Sequence, residues 1–138
     1  MDKRILKYIG LNKVFTLATS IDNTPYCANC FYAHDEETDT LIFLSDNSTR
    51  HIKEAIENKT VAGTIQNGVT IVSEIKGIQF RGEMIDITEK EQQEFYSIYY
   101  KRFPFAKGKP SPIWVVKLNW IKMTDNSLGF GTKLIWER

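Results

Sequence analysis

The sequence predicts a mainly β protein, with about six mostly antiparallel strands closing into a small barrel and about three short helices. Three observations support that reading. Runs rich in β-branched and aromatic residues recur along the chain, such as VFTLATS, TVAGTIQ and residues 113–123. Between them lie compact polar turns, including Asp22-Asn23-Thr24-Pro25, the acidic stretch 35–39 and Asn67-Gly68. Long strands with few interruptions also leave edges to be satisfied, and closure into a barrel removes those edges. At 138 residues, one domain spanning 1–138 is expected, large enough to bury a core without disulfides.

The elements follow in order. Residues 2–12 place Ile5, Leu6 and Ile9 on one side of a short amphipathic helix, which Gly10 and Asn12 end. Strands are expected at 14–20, 26–33 and 40–45. A helix over about 48–58 turns Ile52, Ala55 and Ile56 toward the core, and a fourth strand covers 60–66. Asn67-Gly68 is a strong type I′ hairpin signal, because both residue types tolerate the positive φ that this turn needs. The next strand then runs from 69 to about 87, with Gly77 and Gly82 marking a bulge, a bend or close approach by a ligand. Thr88 and Glu91 form a capping box for a helix over 88–102, whose buried face is Phe95, Ile98 and Tyr99. The loop RFPFAKGKPSP leads to a last long strand at 113–123, and the tail SLGFGTKLIWER ends in a short apolar segment. No helix follows Gly129-Phe130-Gly131, so it is not a dinucleotide fingerprint.

Composition narrows the partners. The net charge is +1, from 18 basic and 17 acidic residues, which gives no support to a nucleic-acid or membrane partner. No apolar run approaches the roughly 18 residues needed to span a bilayer. MDKRILKYIG has no apolar core and no small-residue cleavage site, so a cytoplasmic protein is expected. Cys27 and Cys30 form a C-x-x-C inside the strand-like YCANCFYA. Strand positions three apart face opposite ways, so the two are read as separate thiols, each buried or half-buried. A zinc site would need two more ligands, and His34 and His51 do not form a suitable pair, so no metal is expected. His34, beside acidic residues, reads as part of a solvated turn. Tyr96, Tyr99, Tyr100 and Phe103 at helical spacing read as core and interface. Lys101, Arg102, Lys107 and Lys109 form a basic patch, either solvated or used by a phosphorylated substrate.

The sharpest chemical signal is LSDNSTRHIKEAIENK, residues 44–59. Asn47, Ser48 and Thr49 suit a helix N-cap, yet Arg50 and His51 follow at once. A first helical turn exposes N–H groups and the positive end of the macrodipole, where acidic residues are expected. Ser, Thr and Arg at such a start supply the donors and the cation that a phosphate wants. The other reading pairs Arg50 with Glu54 at i, i+4 on an ordinary surface.

The order of a strand, an acidic turn, LIFLSDNSTRHIK, a hairpin and then KGIQFRGEM resembles the FMN-binding split barrels, the pyridoxamine 5′-phosphate oxidase-like proteins. CANCFYAHDEE, STRH, VAGTI, GIQFRGE, RFP, IKMTDNSLGFG and KLIW together resemble, more closely, the YhbP-type family within that superfamily. The resemblance covers almost the whole chain. It implies a six-stranded antiparallel split β-barrel with about three helices, and no particular reaction.

In residues, it implies that Ser48, Thr49, Arg50 and His51 grip the FMN phosphate. Leu44 and Ser45 would lie along the ring and ribityl chain, and Ala28, Asn29, Cys30 and Phe31 would line the ring edge. Gln79 matches the Gln that touches the isoalloxazine, and its amide can donate or accept in either redox state. Taken locally, Gln79 reads first as an outward polar residue between inward Ile78 and Phe80, and only the resemblance brings the flavin reading level with it. Superfamily members are homodimers with flavin at the interface, so Thr124, Asp125, Asn126 or Trp114 would reach across from the partner. Three departures stand out. Ala28 replaces the Arg of the second strand, Thr124-Asp125 replaces a Trp-Gln pair, and the C-terminal Arg and His have no equivalent. Pyridoxamine phosphate oxidation itself is therefore not expected. The expectation is an FMN-binding protein, a small flavin-dependent oxidoreductase of unspecified substrate with no protein acid or base implied. The alternatives are a haem-binding or haem-degrading protein on the same fold, or a non-enzymatic flavin-binding protein.

Overall fold

In the computed structural model, which describes residues 1–138, seven antiparallel strands form one sheet that closes on itself. The order is α1 (Lys3–Leu11), β1 (Val14–Ile21), β2 (Thr24–Asp35), β3 (Thr40–Leu44), α2 (Arg50–Glu57), β4 (Thr60–Ile65), β5 (Lys76–Met84), α3 (Glu89–Arg102), β6 (Ile113–Asp125) and β7 (Lys133–Glu137). β1 pairs with β2 and β4, β4 with β5, β5 with β6, β6 with β3, and β3 with β2. These six strands make the ring. β7 lies outside it: β3 pairs with β6 at 113–117, and β7 takes over at 120–124. The barrel is therefore six-stranded as expected, and the apolar tail adds a flanking strand.

Alternation along the strands turns the apolar set inward. Phe15 lies centrally, with ring centroids 5.6 Å from Tyr32, 5.3 Å from Phe43 and 5.9 Å from Phe80. α1 and α2 plug opposite ends of the barrel, burying Ile5 and Ile9 at one end and Ile52 and Ala55 at the other. The Tyr8 hydroxyl donates to the Lys76 carbonyl at the α1 end, and the Asn58 amide donates to the Ser20 carbonyl at the α2 end. α3 covers the outer face of β2, β3 and β6, packing Phe95, Tyr99 and Phe103 on Ala33, Ile42, Ile113 and Val115. Its capping box forms: Glu91 N–H donates to Thr88 Oγ1, and Thr88 N–H to Glu91 Oε1. No helix is long and apolar enough to cross a membrane.

Several expectations change. Asn67-Gly68 does not close a two-residue hairpin. Only Gly68 has positive φ, whereas a type I′ turn needs it at both central residues. The Asn67 side chain instead accepts from Val69 N–H, and residues 66–75 make a longer loop with a short 3₁₀ turn. Asn126 pins that loop, donating from Nδ2 to Val72 O and from its backbone N to Ile75 O. The strand expected from 69 thus starts at Lys76. Ile56 is exposed, because α2 is short and buries only Ile52 and Ala55. Tyr8 rather than Leu6 completes the buried face of α1. Gly82 does mark a bulge, between Arg81 and Gly82, where a Cβ would come within 2.6 Å of the Lys117 carbonyl. The two thiols face opposite ways, with Cys30 buried and burial pushing it up to about 11. Cys27 is exposed, not half-buried, because its face of β2 has no element over it.

Candidate functional site

β2 is longer than its partners. It pairs with β1 over 24–31 and with β3 only over 32–35. The other edge of 24–31 therefore carries no strand, and alternate backbone N–H and C=O groups there face away from β1. The opening exists because β3 stops at Leu44 and the chain turns into α2. Asn29, Cys30 and Phe31 lie on this open length, with Leu44 and Ser45 at the strand end opposite. Phe31 is 55% exposed and leans on Phe103 at 5.8 Å.

The helix entrance closes one end of the opening. Ser45 Oγ lies 2.7 Å from His51 Nε2, and Thr49 Oγ1 lies 3.4 Å from each. Trp114 Nε1 donates to the Ser45 carbonyl at 2.8 Å. Burial lowers the His51 pKa, so its ring is neutral near pH 7. Thr49 is the N-cap but makes no side-chain cap bond, because its hydroxyl donates to the Asp46 carbonyl. Asp46 accepts from both Ser48 N–H and Ser48 Oγ, and these bonds lower its pKa. Arg50 takes up the i, i+4 pairing, donating from Nε to Glu54 Oε2 at 2.7 Å. Its guanidinium also lies 4.2 Å from the Tyr26 ring centroid. Glu54 is itself held by Thr19, whose buried hydroxyl donates to Oε1 at 2.9 Å. Arg50 is thus held by its Nε edge and its face, and it borders a groove of about 520 Å³ with Ser48, Lys53 and the carboxylates of Asp22, Glu54 and Glu57.

Gln79 stands elsewhere. The strand register makes one outward row, Asn29–Thr16–Thr64–Gln79–Lys122. Thr16 Oγ1 donates to Asn29 Oδ1 at 2.7 Å. Three strand spacings separate Asn29 from Gln79, about 14 Å. Gln79 and Lys122 border a shallow groove of about 420 Å³ with Thr64, Lys76 and Thr124. Asp125 and Asn126 lie at the α1 end, away from α2. Asp125 accepts from Ser127 N–H and Oγ, and Asn126 braces Val72 and Gly131.

The structure therefore brings Ser45, Thr49, His51 and Trp114 into contact, sets Ser48 and Arg50 beside them at the helix entrance, leaves Asn29 and Phe31 along the open edge near Leu44, and separates Gln79, Asp125 and Asn126 from them within one chain. Cys30 lies on the same length of β2 but points into the core. Sequence reasoning missed Tyr26, Thr19 and Asp46. Asp46 carried a signal, since an Asp two residues before Ser commonly forms an Asx turn. Tyr26 and Thr19 carried none.

His34 is not in a solvated turn. Its ring is largely buried and Nε2 has no hydrogen-bond partner. Burial lowers its pKa, against the pull of Glu36, Asp39 and Asp35. The folded state prefers the neutral ring, so the unfolded chain binds more protons once pH falls below the ordinary histidine value of about 6.5. Stability is full above that value and declines below it. Thermal unfolding should give a lower Tm at about pH 5.5 than at about pH 7.5, and His34→Gln should shrink that difference. An undiminished difference would refute the assignment.

Comparison with solved structures shows the class. A haem-binding protein from Mycobacterium smegmatis matches with a TM-score of 0.77 at 13% identity, over 91% of this chain and 53% of its own, so this chain spans about half its length. An FAD-binding protein from Mesorhizobium loti matches with a TM-score of 0.72 at 14% identity, over 89% and 93%. A NimC/NimA family protein from Clostridium acetobutylicum matches with a TM-score of 0.73 at 19% identity, over 99% and 91%. The fold is that of the pyridoxamine 5′-phosphate oxidase-like split barrels. No family model matches the chain. Curated relatives do: UPF0306 protein plu4501 of Photorhabdus laumondii is 40% identical over 134 residues, 97% of this chain and 94% of the relative. UPF0306 protein YhbP of Salmonella paratyphi A is 37% identical over 132 residues, 96% of this chain and 90% of the relative. The chain belongs to the UPF0306 family.

Proposed function

We propose that this chain binds FMN along the open edge of β2 and works as a small cytoplasmic flavin-dependent oxidoreductase, assembled as a homodimer. The observation that carries the reading is that edge, facing Ser45 and ending at the Arg50 entrance of α2. The residues present fit the group. Backbone N–H and C=O groups of 24–31 suit the donor and acceptor pattern of a flavin ring. The uncapped first turn of α2 and the Arg50 guanidinium suit a phosphate monoester, and the Thr49 hydroxyl would join them by leaving the Asp46 carbonyl. Asp46 competes for the Ser48 donors, so Ser48 contributes only by turning away from it.

Flavin, when bound, would supply electron or hydride transfer, and the chain's residues would bind, orient and exclude water. Gln79 of the same chain is too far to meet a ring on β2, which favours a dimer in which Gln79 and Lys122 come from the second copy. The uncovered outer face of β1, β4 and β5 suits such contact, with the small residues Ala18 and Ala62 at its centre. Free Cys27 and Cys30 accord with a reducing compartment.

Haem is the second reading, favoured by the haem-binding fold neighbour. It needs an accessible axial ligand, and neither histidine offers one: His34 is largely buried, and His51 Nε2 is engaged by Ser45. An absorption scan of the purified chain, with and without added FMN or haem, separates the two. Flavin bands at about 370 and 450 nm are expected, and a Soret band at about 400 nm would favour haem. A colourless protein that takes up no FMN would overturn the first reading. Light scattering should report a dimer.

A further inference from the structure

Residues 95–124 contain no Asp or Glu, but include Lys101, Arg102, Lys107, Lys109, Lys117 and Lys122. That segregation stands out in a chain of net charge +1. None of the ion pairs uses a residue of this segment. Arg102 is committed to the Gly10 and Asn12 carbonyls at the end of α1 and Lys109 lies near Asp46, but Lys101 and Lys107 have no acidic partner. In the same segment the rings of Tyr96 and Tyr100 stack on α3, 5.5 Å between centroids at 22°. The Tyr96 hydroxyl donates to the Ser111 carbonyl at 2.6 Å, which fixes the platform against the loop before β6. Lys107 Nζ stands 5.9 Å from the Tyr100 ring centroid. These groups border an open groove of about 700 Å³ that also includes Gln93 and Ser97, and no carboxylate lines it.

We propose that this groove binds a small aromatic anion, a planar ring carrying a phosphate or carboxylate. The tyrosine platform offers a face for the ring, and Lys101 and Lys107 offer unneutralised cations for the anion. Gln93 and Ser97 supply neutral hydrogen-bonding groups. A dinucleotide or longer strand fits less well. There is one stacked pair and not a succession of platforms, and the volume suits a single small ligand. A second copy of this chain is disfavoured because the cationic patch would meet itself. The site uses none of the residues assigned to FMN, so it stands or falls separately.

The test uses the full chain without added flavin and three probes: phenyl phosphate, phenol and inorganic phosphate. Binding is followed by NMR shifts of the backbone amides. Phenyl phosphate should bind about tenfold or more tightly than either fragment, with shifts centred on 93–107, and more weakly as salt rises. Lys101→Gln with Lys107→Gln, and separately Tyr100→Leu, should each weaken the binding read at 93–107 about tenfold, while any separate shifts at the α2 entrance stay as they were. Circular dichroism confirms that the variants fold. Equal binding of phenyl phosphate and inorganic phosphate, or shifts centred elsewhere, would overturn the site. Tighter binding of a single-stranded oligonucleotide, with a salt dependence reflecting several phosphates, would overturn the ligand class.

Discussion

Gly63→Ala lowers stability by about 3 kcal/mol and the melting temperature by about 10 °C. Gly63 lies on the inward face of β4, opposite Phe80 on β5 and Leu17 on β1. A Cβ there meets the Phe80 ring and the Thr16 backbone carbonyl. The ring is one of the aromatic groups packed around Phe15, so it has little room to swing. The carbonyl belongs to a strand paired on both sides, so it moves only with the sheet. No positive φ is involved, and the cost is purely steric. Urea unfolding followed by tryptophan fluorescence measures it. Combined with Phe80→Leu, the loss should be smaller than the sum of the two single losses, because part of the clash is relieved. A single variant within about 0.5 kcal/mol of the parent would show that the barrel wall yields there.

On the proposed reading, Arg50→Ala should weaken FMN binding by about 10- to 100-fold, the loss of charge-assisted hydrogen bonds worth about 1.5–3 kcal/mol. The ion pair with Glu54 does not remove Arg50 from service. It uses Nε, the guanidinium face stacks on Tyr26, and neither Nη nitrogen makes a hydrogen bond within the chain. Arg50→Lys should recover only part of the affinity, since an ammonium lacks the planar fork. Quenching of flavin fluorescence on titration reads the change, with riboflavin as the control. Riboflavin has no phosphate and should be insensitive to the substitution. Equal FMN affinity in parent and variant would remove Arg50 from the phosphate seat.

The sequence showed the strands and helices well where local signals agreed. The capping box at Thr88 and Glu91 is local chemistry, and it formed. The bulge at Gly82 was announced by a glycine inside an alternating strand. Local signals failed where a distant residue decided the outcome. Asn67-Gly68 looked like a tight hairpin, but Asn126, far along the chain, holds that loop open by bonding Val72 and Ile75. His34 looked solvated beside three acidic residues, and burial by the surrounding fold reversed that.

The candidate site divides in the same way. Ser48, Thr49, Arg50 and His51 are contiguous, so their gathering at a helix entrance follows from a cap and a short amphipathic stretch. The Arg50–Glu54 pair follows from i, i+4 spacing. The sequence by itself therefore determined the succession of strands and helices, the helix entrance and its basic first turn, because each depends on neighbours within a few residues. The tertiary structure alone decided that β2 outruns β3 and leaves an open edge, that Tyr26 and Thr19 lock Arg50 and Glu54, and that Gln79 stands three strands from Asn29. Strand pairing joins residues by register and not by spacing in the chain, and no local pattern encodes which strand ends first.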